Sequence, residues 1–214
     1  MQEYRVIAER CQVSIIVRRS EFIAHAAPAK DEEEAWRFVE EIRELHRDAT
    51  HNVYAWRVGF DEELVRSSDD GEPAGTAGRP VLEVIQREDL RNVVVVVTRY
   101  FGGILLGAGG LVRAYAKAAT EVLREAPKAL CQPRRRLRMC LDYGGLGKLQ
   151  NEIIQVGGAI AEADYGASVV LDVLLPLPAV DFISQMALDL TRGEARIEQL
   201  GIEYVMVTGV DETK

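Results

Sequence analysis

The sequence predicts an α+β protein of two domains joined near residues 126–133, and three observations support this class. Strand-like and helix-like periodicities alternate along the chain. Eight of the 18 glycines lie between positions 71 and 110, where they separate those elements. Beyond residue 133 the pattern runs β-α-β-β-α-β, which is the order of a ferredoxin-like domain. We therefore predict one domain at residues 1–126 and a ferredoxin-like domain at residues 134–214.

The first domain begins with three segments rich in β-branched and apolar residues, which predicts strands. They lie at residues 4–8, 12–18 and 22–27, and Pro28 ends the last one. Asp31 then precedes Glu34 by three residues, the spacing of a helix capping box. Apolar residues recur at helical spacing over residues 31–47, which predicts an amphipathic helix.

The rest of the first domain is predicted to contain three more strands and two more helices. Residues 52–60 and 63–67 favour two strands joined by a turn, and Pro80 suits the first turn of a short helix over residues 79–87. The run Val93–Val97 is apolar throughout, as expected for a strand buried on both faces. A helix follows at residues 109–124, ended by Pro127.

The second domain has a similar mixture of elements. We predict strands at residues 137–141, 159–163, 168–175 and 195–207, and helices at residues 146–156 and 180–190. Residues 165–166 mark the turn of the central hairpin, and Gly193 ends the second helix.

Composition limits the classes of function. A net charge of −8 argues against a protein that coats nucleic acid by bulk electrostatics. The start of the chain is polar, and the longest apolar run is too short to cross a membrane, so we expect no membrane partner. Three widely spaced cysteines fit reduced thiols, which predicts a cytoplasmic location.

The main candidate site is a glycine-rich loop that leads into a helix at residues 101–110. Such a loop presents free amides and the positive end of the helix dipole to an anion. Four cations and no acid lie between residues 90 and 120, so this segment carries +4 and the remainder −12. In the alternative interpretation the glycines only allow close packing and the cations are solvated. The predicted anion or nucleic-acid site comprises Arg79, Arg99, Gly102, Gly103, Gly107, Gly109, Gly110, Arg113 and Lys117.

An acidic loop lies just before this segment. Its carboxylates suit a tight turn and an ion pair with Arg79 or Arg99 better than a metal site. The residues predicted to brace the loop are Ser68, Asp69, Asp70, Glu72 and Thr76. The three histidines show no zinc-binding spacing, and no serine or cysteine lies in a nucleophile motif. We therefore predict no catalytic residue, metal or cofactor, and a binding protein rather than an enzyme.

A second cationic candidate is the run at residues 134–138, RRRLR. If Leu137 points inward, Arg136 and Arg138 lie on the outer face of a strand. A solvated strand edge and a nucleic-acid contact both remain open for this run.

Three contiguous motifs carry a family resemblance. Residues 66–80 (RSSDDGEPAGTAGRP), 93–103 (VVVVVTRYFGG) and 106–114 (LGAGGLVRA) resemble the signature of the YigZ/IMPACT family. The similarity covers most of residues 10–126, and residues 146–150 (LGKLQ) are similar to the C-terminal domain of bacterial members. The resemblance implies an S5-like domain, with the fold of ribosomal protein S5 domain 2. It also implies a ferredoxin-like domain similar to domain V of elongation factor G.

The resemblance implies a translation-linked regulator that binds RNA or the ribosome, with a protein of the translation machinery as a further partner. The kinase-activator partner of eukaryotic members is not expected, because the chain shows no sign of their extra N-terminal domain. One alternative is an enzyme or binder of a phosphorylated small molecule at the same loop, with Asp69 or Asp70 as base or metal ligand. Another is a protein–protein adaptor that uses Tyr100 and Phe101 as anchors.

Overall fold

A computed structural model describes residues 2–59 and 63–207. The described chain divides into two compact units: residues 4–130 form the first, and residues 131–207 together with residues 2–3 form the second. The predicted turn at residues 59–62 falls mostly outside the described residues. The limits predicted for the two domains stay a prediction.

The first unit is built on a five-stranded sheet in which every described pairing is antiparallel. Its strands lie in the order β2-β3-β6-β4-β5, and β1 precedes them in the chain. The bounds are Tyr4–Ile7 (β1), Cys11–Val17 (β2), Ser20–Pro28 (β3), His51–Val58 (β4), Leu64–Ser68 (β5) and Val93–Tyr100 (β6).

Helices cover both faces of this sheet. They are α1 (Glu32–Leu45), α2 (Gly78–Arg87) and α3 (Ala108–Glu125). Along β6, Val94 and Val96 share a core with α1, whereas Val93, Val95 and Val97 share the opposite core with α2 and α3. The prediction of a strand buried on both faces is therefore confirmed, because alternate valines serve two separate cores.

The start of α1 also follows the sequence. The side chain of Asp31 accepts a hydrogen bond of 2.9 Å from the Glu34 amide, which is the predicted N-terminal cap. Glu34 reaches back in turn and accepts from the Lys30 amide at 3.0 Å. The first bond satisfies an amide that the helix itself leaves free, and the second fixes the residue before the cap.

A row of polar rings connects α1 to the sheet. The Nε2 atoms of His25 and His46 lie 3.2 Å apart, and His46 Nδ1 lies 2.9 Å from the hydroxyl of Tyr100. That hydroxyl donates to Asp48 Oδ1 at 3.3 Å. Burial, reinforced by His46 and opposed by Glu41, lowers the pKa of His25 to about 4.

This lowered pKa predicts an acid sensitivity of the first unit. The unfolded chain takes up the His25 proton at about pH 6.5, whereas the folded unit takes it up only near pH 4. Stability is therefore expected to be complete above pH 6.5 and to fall as the pH drops from there towards 4. Urea unfolding at a series of pH values checks this, with His25→Gln as the comparison. Equal slopes for the two proteins in that window would contradict the assignment.

The second unit has the predicted ferredoxin-like arrangement, with β7 between β9 and β10 and β8 beside β9. Its elements are β7 (Lys128–Leu141, of which residues 131–141 belong to this unit), α4 (Leu146–Gln155), β8 (Ala159–Tyr165), β9 (Val169–Pro176), α5 (Val180–Leu190) and β10 (Arg196–Val207). Leu149 and Ile153 of α4 and Ile183 and Ala187 of α5 share one core with β7 and β9. The predicted α+β class is thus confirmed.

One strand begins earlier than the sequence indicates. We predicted a strand over residues 137–141, but β7 starts at Lys128 and includes Pro133. The prediction was wrong there because a proline argues against a strand interior. Proline is tolerated at strand positions whose amide has no hydrogen bond to donate within the sheet.

Candidate anion-binding groove

The β2–β3 hairpin has an uncommon turn. Val17 pairs with Ser20, so the loop consists of Arg18 and Arg19 alone. Their φ angles are 45° and 67°, in the left-handed region that Asn-Gly normally occupies in such a hairpin. An arginine in this region costs roughly 1–2 kcal/mol relative to glycine. The turn therefore contains two exposed arginines in a backbone conformation that Asn and Gly would adopt with less strain.

The glycine-rich loop after β6 packs against this turn. A Cβ on Gly102 would lie 2.0 Å from the backbone carbonyl of Arg19, so only glycine fits. The Gly102 amide donates to Ser20 Oγ at 3.2 Å. The loop then turns at Gly103 (φ 80°) and at Gly107 (φ 73°), the residue before α3. These contacts bring the hairpin turn beside the N-terminus of α3.

A groove of about 450 Å³ lies between the hairpin and α3, and we call it the α3 groove. The residues that define it are Ile16, Arg18, Leu106, Gly110, Arg113 and Lys117. Its three cations are exposed, and no acid of the described chain pairs with them. Among the residues that the structure describes, no Asp or Glu lines the groove. The first turn of α3 likewise contains no acid to occupy its free amides. An anion in this groove would therefore meet uncompensated positive charge.

Apolar side chains surround the same loop and turn. Ile16 of β2 is 75% exposed, Phe101 is 47% exposed and Leu105 is 81% exposed. Such side chains are usually buried, and a group of them beside cations indicates a binding surface.

Asp69 holds the acidic loop in shape. Its carboxylate accepts from the amides of Gly75 (2.8 Å), Ala77 (3.0 Å) and Gly78 (2.8 Å), where α2 begins. Partial burial alone would raise the pKa of Asp69, but these three donors outweigh it and hold the pKa below its usual range. In the same loop, Thr76 Oγ1 donates to the Pro73 carbonyl at 2.7 Å.

Asp70 connects the loop to α1 and β4. Its carboxylate pairs with Arg43 at 3.0 Å and accepts from the Asn52 amide at 2.7 Å. Its own amide donates to Ser68 Oγ at 3.2 Å. Both aspartates thus bind backbone or side-chain donors within the protein.

Glu72 is buried, and it anchors the loop to β6 and α3. One carboxylate oxygen accepts from Arg99 at 2.5 Å and from the Tyr115 hydroxyl at 2.8 Å. Only 6% of the Arg99 side chain and 4% of the Glu72 side chain are exposed. Burial, reinforced by Glu72, raises the pKa of Tyr115 far above its usual range, so the hydroxyl remains a donor. Arg99 therefore braces the two glycine loops from inside and presents no free charge to solvent.

The predicted site residues thus occupy different places. Arg113, Lys117 and Gly110 line the α3 groove, with Gly107 and Gly109 at the adjoining helix start. Arg79 lies apart from them on α2, where it pairs with Glu83 at 3.0 Å instead of with the acidic loop. The sequence analysis missed Arg18. The predicted strand over residues 12–18 included Arg18, but β2 ends at Val17 and Arg18 lies in the hairpin turn. Arg-Arg is not a usual hairpin pair, so no local signal marked this turn.

Two of the four arginines at residues 134–138 are paired with acids, whereas Arg134 donates to the Gly157 carbonyl at 2.6 Å. Arg138 makes two hydrogen bonds of 2.8 Å with Asp172, and Arg136 bonds to Asp172 at 3.2 Å and to Glu203 at 3.1 Å. The Arg138 bonds, and then those of Arg136, hold the pKa of Asp172 below its usual range. Leu137 points inward as expected. This face therefore carries less free positive charge than the α3 groove.

Two further features bear on function. Within residues 2–59 and 63–207, no group of three or more His, Cys, Asp or Glu side chains is placed to hold a metal ion. In the same part of the chain, no helix combines the length and apolar character that a membrane crossing needs.

Comparison with known proteins matches both units. The model of the Impact N-terminal domain matches residues 18–123, and a domain of unknown function (DUF1949) matches residues 141–194. YvyE of Bacillus subtilis is 34% identical over 216 residues, which is 100% of each chain. YigZ of Escherichia coli is 36% identical and covers 92% of this chain and 98% of its own. Both relatives are described as IMPACT family members.

The solved structures agree with this assignment. A crystal structure of a hypothetical protein is 34% identical, has a TM-score of 0.67 and covers 94% of this chain and 98% of its own. The chain therefore belongs to the IMPACT family.

Proposed function

We propose that this protein is a cytoplasmic, translation-linked regulator that binds RNA, free or within the ribosome, by holding its phosphates in the α3 groove. The observation that carries the proposal is the set of three exposed, acid-free cations, Arg18, Arg113 and Lys117, around one groove. RNA phosphates suit such an array, because each phosphate that a cation neutralises releases counterions and so adds to the affinity.

The strained hairpin turn supports the same role. Arginine at two left-handed positions costs folding free energy, whereas Asn-Gly would adopt the turn without strain. Strain of this kind persists where it serves a binding or catalytic site. Cations at Arg18 and Arg19 fit an anionic partner at the hairpin tip.

The contrast in charge is a second support. Residues 90–120 carry +4 in a chain of net charge −8. Two of those four cations, Arg113 and Lys117, line the groove together with Arg18, whereas Arg99 is paired with Glu72. The three groove cations form a local patch, which is what phosphate recognition requires.

Replacing the turn with the unstrained pair, Arg18→Asn with Arg19→Gly, is expected to change stability and binding in opposite directions. The free energy of unfolding should rise by about 1 kcal/mol, because the left-handed strain is relieved. RNA affinity at low salt should fall about tenfold, and the dependence of log affinity on log salt should flatten by about 1–2 units. Fluorescence anisotropy with a labelled RNA measures the affinity, and urea unfolding measures the stability.

Arg79→Gln provides the matched control, since it removes one exposed cation from α2, outside the groove. Its RNA affinity is expected to stay within a factor of about two of the parent, as for a surface charge without a phosphate contact. If the turn variant bound RNA as tightly as the parent at low salt, the groove would not be the RNA site. Co-sedimentation with ribosomes, repeated with both variants, extends the same comparison to the ribosome.

A further inference from the structure

We infer that the α3 groove takes unpaired RNA rather than duplex RNA, with the ring of Phe101 as a platform on which a base stacks. The inference rests on the proposed function and names the class of RNA that the site accepts.

Phe101 is exposed and yet held in place. The residue follows β6, and 47% of its surface is open to solvent. Its amide donates to Thr50 Oγ1 at 3.1 Å. The guanidinium of Arg99 lies 5.5 Å from the centre of its ring, and Glu72 fixes that guanidinium in turn. The ring is therefore supported by a buried ion pair while much of its surface remains free for a ligand.

The chain at Phe101 also lies close to the hairpin turn. Gly102 packs directly on the backbone of Arg19, so Phe101 is one residue along the chain from that contact. Leu106, a few residues further along the same loop, lines the groove beside Arg113. Aromatic, aliphatic and cationic side chains thus follow one another along a single loop and turn.

This combination fits unpaired nucleotides better than paired ones. A duplex presents phosphates and sugars outward and keeps its bases stacked inside, so it has no use for an exposed aromatic ring. An unpaired base has a free face, and one stack on an aromatic side chain is typically worth a factor of about ten or more in affinity. An acidic, apolar protein segment would match the same charges, but the backbone of RNA supplies a regular row of anions for several cations at once.

The test compares two RNAs and two conservative variants in the full chain. The probes are a short unstructured RNA containing 2-aminopurine and a blunt duplex RNA with a similar number of phosphates. Phe101→Leu keeps an apolar side chain and removes the aromatic face. Phe182→Leu, at an exposed phenylalanine of α5, is the matched control. Thermal unfolding of each variant establishes that the fold is retained.

The parent is expected to bind the unstructured RNA at least about tenfold more tightly than the duplex and to quench the 2-aminopurine emission. Phe101→Leu should lose about tenfold in affinity for the unstructured RNA and abolish the quenching, with duplex binding unchanged. Phe182→Leu should match the parent on both probes.

The outcomes separate the two proposals. The inference is overturned if the parent binds both RNAs equally and Phe101→Leu leaves that binding unchanged. If the Arg18→Asn, Arg19→Gly variant still weakens the binding, the proposed function stands. Binding of neither RNA at low salt overturns both proposals and favours a protein partner at the same surface.

Discussion

Replacing Glu72 with alanine is expected to lower the free energy of unfolding of the first unit by about 3–5 kcal/mol. The Glu72 carboxylate accepts hydrogen bonds from Arg99 and Tyr115. The side chains of Glu72 and Arg99 are both almost fully buried. Removing the carboxylate leaves the Arg99 charge buried without its partner, which costs far more than loss of an exposed ion pair. Urea unfolding followed by tryptophan fluorescence measures this change.

Tryptophan fluorescence suits this measurement because both tryptophans, Trp36 and Trp56, lie in the first unit. Adding Arg99→Met to Glu72→Ala removes the stranded charge, so the double variant is expected to be more stable than Glu72→Ala alone. An exposed ion pair contributes less than about 1 kcal/mol to the free energy of unfolding. If Glu72→Ala lowered that free energy by no more than this, Glu72 would not be a buried bracing residue.

Substituting Gly102 with alanine is expected to destabilise the first unit by about 3 kcal/mol and to weaken RNA binding. The new Cβ would lie 2.0 Å from the Arg19 carbonyl, and a backbone cannot move aside as a flexible side chain does. The loop or the hairpin must therefore shift, which displaces Phe101 and opens the α3 groove. Urea unfolding and fluorescence anisotropy measure the two effects.

Gly109→Ala is the matched control in the same segment. Gly109 lies in the first turn of α3, and its added Cβ would meet only the tip of Arg113 at 3.7 Å. Alanine favours a helix more than glycine does, so this variant is expected to gain up to about 1 kcal/mol. If both variants destabilised the unit equally, the close approach of Gly102 to Arg19 would not be the cause.

Local patterns predicted most of the elements. The helix spacing after Asp31, the all-valine run of β6 and the β-α-β-β-α-β order of the second unit each appear in the structure. These features depend on residues a few positions apart in the chain, and the spacing of apolar residues in the sequence indicates them directly. The start of β7 was missed because pairing across the sheet, rather than local preference, extends a strand through Pro133.

The site was predicted less completely, because its geometry depends on distant contacts. Arg99 and Arg113 look alike in sequence, yet one is buried against Glu72 and the other lines an exposed groove. No local pattern distinguishes a bracing arginine from one that is free to bind. Arg18 lies about a hundred residues from Arg113, and the packing of α3 against β2 and β3 brings their elements together.

The negative charge outside the α3 segment has a consequence for how an RNA would reach the groove. The chain carries −8 in total, whereas Arg18, Arg113 and Lys117 at the groove have no acid partner among the described residues. At long range a polyanion would be repelled by this net charge, and at short range it would be attracted at the groove. Added salt would screen the long-range repulsion and the attraction at the groove together.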